Sequence, residues 1–210
     1  MAARGPHRLL FDAWSLFYDA PPVQRLTYRP GQDAVVRALR ERPPRRVLDV
    51  GCGTGQLAAR LRRALPETEI VGCDFSRGML RHARSRDPAV AFVQGDAQRL
   101  PFPGSHFDAL VSTEAFHWFP DAAAALAEFH RVLAPGGRLL VALVNPPLEA
   151  LSTLSRIGSR WLGEPFSWPT QARMRRSVER AGFRVDAQRR IFRLPAPLLF
   201  PTVLTEAHRV

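Results

Sequence analysis

Three glycines, each one residue apart, follow a short apolar run in VLDVGCGTG, residues 47–55, and they carry the first chemical signal in the chain. A buried strand that feeds a glycine-rich turn and then a helix brings backbone amides up to a ligand with no Cβ in the way. The spacing narrows the choice of ligand. A dinucleotide site wants G-x-G-x-x-G, with its third glycine at position 56, but residue 56 is Gln and the third glycine is Gly55. No lysine follows, which excludes a phosphate-cradling P-loop. Asp49 stands two residues before Gly51; a carboxylate there sits poorly beside a pyrophosphate and suits a cationic ligand. Cys52 and Cys73 are too few for a disulfide framework or a zinc site, and no metal is expected.

The elements that must position these groups follow from the apolar pattern. RVLDV (46–50), EIVGCD (69–74), AVAFVQ (89–94), FDALVST (107–113) and RLLVALV (138–144) read as strands. Helical spacing lies between them in GQLAARLRRAL (55–65), RGMLRHARSR (77–86) and DAAAALAEFHRVL (121–133), the last closed by Pro135-Gly136-Gly137. Strands apolar on both faces, alternating with helices, argue a parallel sheet covered on both sides. Upstream, GQDAVVRALRER (31–42) reads as a helix ended by Pro43-Pro44, and Leu9, Leu10, Phe11, Trp14, Phe17 and Tyr18 fall at helix-compatible spacing. The last third offers helices near 148–162 and 170–181, a strand at 183–194 and a short final strand at 201–208. The expectation is one α/β domain over 1–210, with a mostly parallel seven-stranded sheet and an N-terminal helical cap over 1–44. Ligands in such sheets bind at the carboxyl ends of strands. That draws attention to Ser112 and Thr113, which end the fourth strand, and to Glu114, His117, Trp118 and Phe119 just beyond.

Four blocks in order, VLDVGCGTG (47–55), VGCDFSRGML (71–80), QGDAQRLPFP (94–103) and FDALVSTEAFHWFPD (107–121) with RVLAPGGRLLV (131–141), resemble the class I S-adenosylmethionine (SAM)-dependent methyltransferases. Within that class they are similar to the type 11 kind, which includes quinone-biosynthesis and trans-aconitate methyltransferases. The resemblance is strong over roughly 45–145 and loose on both flanks, and it implies a Rossmann-like fold whose SAM-binding core is 45–145. It also implies SAM as cofactor, S-adenosylhomocysteine as product, and a shell built from Asp49, Gly51, Cys52, Gly53 and Gly55. Asp74 would accept from the ribose diol, its alternative being an N-cap for 77–86. Asp96, with Ala97 beside it, is similar to the acid that accepts from the adenine amine. Phe75 and Met79 would line the adenine and ribose pocket, although Met79 also suits plain helix–sheet packing. Ser112 and Thr113 would face the methionine end. His117-Trp118 resembles an aromatic pair common at this point of the family, and packing beneath the N-terminal cap is its alternative. Tyr18-Asp19 resembles a cap motif that closes over SAM. His117 and Glu114 are the candidate bases for an acceptor that needs a proton removed. Asn145-Pro146-Pro147-Leu148 follows the fifth strand, ends in a residue that cannot stack on a base, and reads as a turn.

Charge bears on partners. All 30 basic residues are arginine, set against 19 acids for a net +11, and residues 151–210 hold 11 arginines against four acids. Such a field favours polyanions, nucleic acid or an anionic membrane surface. Arginine without lysine, alongside 19 prolines, is also what the codon usage of a GC-rich genome produces. No run approaches the ~18 apolar residues of a membrane span, and Asp12 interrupts the apolar N-terminal stretch. The expectation is a cytoplasmic enzyme acting on a small-molecule methyl acceptor, with no integral membrane association and no specific nucleic acid. The rival is a nucleic-acid-binding protein, or an RNA methyltransferase, using the arginine-rich last third.

Overall fold

The computed structural model describes residues 28–146, 148–162, 168–191 and 201–210. In chain order the elements are α1 (Arg29–Glu41), β1 (Arg46–Val50), α2 (Gln56–Ala64), β2 (Glu69–Asp74), α3 (Arg77–Arg86), β3 (Ala91–Gln94) and β4 (Phe107–Thr113). A 3₁₀ turn (Phe116–Trp118), α4 (Ala122–Val132), β5 (Leu133–Val144), α5 (Glu149–Leu162), α6 (Gln171–Arg180), β6 (Phe183–Ile191) and β7 (Thr202–Arg209) follow. Among the described residues seven strands form one sheet, ordered β3-β2-β1-β4-β5-β7-β6. The first five are parallel, and β7 runs antiparallel to both β5 and β6.

Period-two alternation sorts the strand residues between two cores. Leu48, Val50, Leu110, Leu139 and Val141 point to one face and pack with Phe107, Leu126 and Phe129. Val47, Ala109, Val111, Leu140 and Ala142 point to the other and pack with Val35, Leu39, Leu57 and Leu61 from α1 and α2. α1 therefore covers a sheet face. Pro30 opens its first turn, and Arg138 on β5 donates to the Ala38 and Arg42 carbonyls at its end (2.9 and 3.2 Å). Residues 1–27, the rest of the expected cap, lie outside the described residues.

One expectation needs correction. The sequence pattern starts the fifth strand at 138, with Pro135-Gly136-Gly137 as the helix stop. β5 instead begins at Leu133 and pairs it with Phe107; the register then shifts before Ala109 meets Arg138. The shift absorbs the Pro-Gly-Gly residues as an irregularity, with Gly136 at φ +72°. The final strand expected at 201–208 is β7, Thr202–Arg209, shifted by one residue, and it slots between β5 and β6.

Candidate functional site

The glycine loop leaves β1 with Gly51, Gly53 and Gly55 all at positive φ (+72°, +54° and +75°). It folds back over the end of β2: the Gly51 and Cys52 amides both donate to the Cys73 carbonyl (2.8 and 3.2 Å). Gly53 N–H donates to Asp74 Oδ2 at 2.9 Å, while Asp74 Oδ1 accepts from Ser76 N–H at 2.9 Å. The N-cap of α3 is Ser76, whose Oγ accepts from Met79 N–H, so the capping alternative for Asp74 is wrong. The carboxylate serves to pin the loop instead. A Cβ on Gly51 would lie 2.3 Å from Ala115 Cβ, and one on Gly55 would lie 2.9 Å from the Phe92 ring and 3.0 Å from Ala83 Cβ. The loop is thus packed directly against the turn that follows β4.

Asp49 sits in β1 opposite Gly72 and Val111, on the face that Val47 shares. It is 1% exposed, and neither carboxylate oxygen has a hydrogen-bond partner among the described residues. Burial, with Asp74 adding repulsion, pushes its pKa from 3.8 up to about 8. A buried carboxyl without a partner costs folding free energy and fits a site that a cation completes. The thiols fit no chemistry: burial first, then the nearby aspartates, raises Cys52 well above its usual range and Cys73 to about 12. Both are buried packing residues.

Beyond β3, Asp96 is exposed, and its Oδ1 accepts from the backbone and side-chain N–H groups of Gln98 (2.9 and 3.1 Å). Gln98 Oε1 in turn accepts from Asp121 N–H (3.0 Å), joining this loop to the start of α4. Glu128 accepts from Leu100 N–H at 2.7 Å, and Arg131 donates to the Leu100 and Phe102 carbonyls (3.1 and 2.9 Å). None of Gln98, Glu128 and Arg131 stands out in the sequence, because each acts across about 20 to 30 residues. Phe75, just after Asp74, is 41% exposed. Met79 and Ala97 are buried in the packed interior.

At the carboxyl end of β4 Ser112 is fully buried and its Oγ has no partner among the described residues. Thr113 is half-buried. Glu114 takes a left-handed backbone (φ +51°), and its Oε1 accepts from Thr202 Oγ1 at 3.2 Å, at the start of β7. His117, in the 3₁₀ turn, is 8% exposed; its ring centroid lies 5.3 Å from that of Trp118 and 6.5 Å from that of Trp168. Trp168 was missed as a site residue, since no sequence signal places it beside His117. Asn145 donates to the Pro169 carbonyl (2.7 Å) and ties β5 to that segment, a strut consistent with a turn. Tyr18 lies outside the described residues. The ends of β1, β2 and β4 therefore bring Asp49, the glycine loop, Asp74, Ser112, Thr113 and the His117 turn together. Glu114 diverges towards β7.

Comparison with known proteins agrees with this geometry. A family described as "Methyltransferase domain" matches residues 47–137. The demethylmenaquinone methyltransferase of Thermus thermophilus is 46% identical over 111 residues, covering 51% of this chain and 50% of that protein. The chain thus spans about half the length of that relative. The demethylmenaquinone methyltransferase of Corynebacterium kroppenstedtii is 34% identical over 171 residues, covering 72% of this chain and 73% of that protein. Among solved structures, a chain from the complex between the Trm112 methyltransferase activator and a methyltransferase of Haloferax volcanii superposes with a TM-score of 0.76 at 26% identity. That superposition covers 94% of this chain and 96% of the other.

Proposed function

Because the chain belongs to the class I SAM-dependent methyltransferases, we propose that it transfers a methyl group from SAM to a small organic acceptor. The observation that carries this reading is Asp49, a buried carboxyl without a partner at the end of β1, beside a loop already shaped by Asp74. Its environment suits a ligand that brings positive charge, as SAM does with its ammonium and sulfonium groups. When bound, SAM supplies an electrophilic methyl that an acceptor displaces in line. In this reading Asp49 balances the cationic end, Asp74 accepts from the ribose hydroxyls, and Asp96 accepts from the adenine amine. Gly51, Cys52, Gly53 and Gly55 present backbone, Phe75 covers the purine, and Ser112 and Thr113 border the methionine end. Met79 and Ala97 support that shell from behind.

The chain's main catalytic contribution is alignment and exclusion of water, worth up to ~7–11 kcal/mol when the reactants are held in an attack geometry. In this reading His117, with Trp118 and Trp168 beside it, takes a proton from the acceptor. Glu114 is the weaker choice because its carboxylate is turned to Thr202. Indole walls favour a flat, apolar acceptor, and the names of the relatives put a quinol first among such molecules.

Titration calorimetry with SAM and with NAD tests the cofactor, and SAM alone should bind. No SAM binding at millimolar ligand, with NAD binding in its place, would sink the proposal. Turnover of a prenylated naphthoquinol tests the base: His117→Ala should lower kcat by ~10²–10⁴-fold with SAM affinity within a few-fold. Loss of SAM binding in that variant would move His117 to the cofactor shell.

A further inference from the structure

α5 is amphipathic the wrong way round for a core helix. Ser152 is fully buried, while Leu154 and Ile157 are 62% and 49% exposed and Leu148, just before the helix, is 59% exposed. Ala150 is exposed as well, so Ala150, Leu154 and Ile157 follow the i, i+4, i+7 spacing of a single helical face. A continuous apolar face turned to solvent marks a binding surface rather than a packing accident.

Charge selects what covers it. After Glu149 the helix carries Arg156 and Arg160 and no acid, and residues 151–210 hold 11 arginines against four acids. An apolar stripe on a basic segment complements an anionic bilayer, where acyl chains take the leucines and headgroups the guanidinium charge. No helix among the described residues is long and apolar enough to cross a membrane, so the contact lies along the surface.

The position of the helix gives the contact a use. Glu149, its first residue, accepts from Thr170 Oγ1 (2.8 Å) and pairs with Arg173 (2.8 Å). Trp168, two residues before Thr170, is the residue beside His117. The start of α5 is therefore fastened to the segment that walls the acceptor end of the site.

We propose that α5 is an interfacial helix that seats the protein on an anionic lipid bilayer through Leu154 and Ile157, with the acceptor end of the site beside the contact. The seat is independent of which acceptor is methylated, and its test needs no turnover. The full chain is sedimented with vesicles of equimolar phosphatidylglycerol and phosphatidylcholine, and with vesicles of phosphatidylcholine alone. Wild type should partition to the anionic vesicles at low ionic strength and be released by high salt. Leu154→Glu with Ile157→Glu should lower that partition by at least ~10-fold. Leu154→Gln with Ile157→Gln should lower it by a smaller factor, which separates lost apolar contact from added repulsion. Both variants should keep the SAM affinity and melting temperature of wild type, since the changed side chains face solvent. Failure of wild type to sediment with anionic vesicles, equal binding to neutral ones, or undiminished binding by both variants would overturn the proposal. So would a wild-type dimer, or an RNA complex, that both variants abolish while vesicle binding persists. A failure here with SAM binding intact leaves methyl transfer standing.

Discussion

Asp49→Asn isolates the group on which the cofactor reading rests. The substitution keeps the volume of the side chain and removes its ionisation. In the free protein the carboxyl has a pKa of about 8 against 3.8 for the ordinary group, so at pH 7 roughly nine molecules in ten carry it neutral. A cationic ligand binds the ionised form, and SAM affinity should therefore rise ~50-fold between pH 6 and 8, most steeply below pH 7, and level off above. Calorimetry at pH 7 in buffers of different ionisation enthalpy should show the release of nearly one proton per SAM bound. The sign for stability is opposite. Between 3.8 and about 8 the native state holds a proton that the unfolded chain has released, so stability falls as pH rises, by up to ~1.4 kcal/mol per unit. The Asn variant lacks that slope, and its advantage in urea unfolding should widen steadily from pH 5 to 8. Above pH 8 the same variant should bind SAM ~30- to 150-fold more weakly, the loss of one charged contact of ~2–3 kcal/mol. A SAM affinity flat between pH 6 and 8, with parallel stability curves for the two proteins, would refute the reasoning.

Asp74→Ala removes the acceptor of the Gly53 and Ser76 amides as well as the proposed ribose contact; calorimetry should show SAM binding weakened ~30- to 150-fold or more. Gly51→Ala forces a Cβ to within 2.3 Å of Ala115 Cβ at φ +72°, and thermal unfolding should report a loss of ~1–3 kcal/mol. Adding Ala115→Gly should recover the part due to the clash and leave the part due to the backbone. RNA should bind more weakly than micromolar at physiological salt, because Arg173 and Arg175 are already paired with Glu149 and Glu179. Micromolar or tighter binding under those conditions, lost when Arg173, Arg175 and Arg176 are replaced, would instead support the nucleic-acid reading.

The parallel half of the sheet was open to sequence reasoning because each strand there is an apolar run bounded by turn residues or charges. β1, β2 and β4 have the bounds that their composition suggests. β5 departs because its extent is set by a partner far along the chain. Leu133 joins β5 because Phe107 is there to pair with it. That pairing leaves no local mark. The same limit applies to Gln98, which bridges Asp96 and Asp121, and to Trp168, which meets His117 from 51 residues away.

The glycines show how one spacing can have two causes. Their spacing points to a ligand loop, on the ground that a ligand needs bare backbone. Yet at Gly51 and Gly55 the space that a Cβ would fill belongs to Ala115, Phe92 and Ala83, so packing within the protein already forbids a side chain there. Glycine at those two positions shapes the loop and draws the β4 turn onto it; it does not by itself report a ligand. In the proposed function that part falls to Asp49, whose buried carboxyl the fold leaves without a partner at a cost to its own stability. Nothing in its neighbourhood on the sequence predicts that isolation, because it follows from Gly72 and Val111 on the adjoining strands, which offer no side-chain donor. A cost of that kind persists where a bound cation recovers it, and this places the discriminating experiment at Asp49 rather than at the glycines.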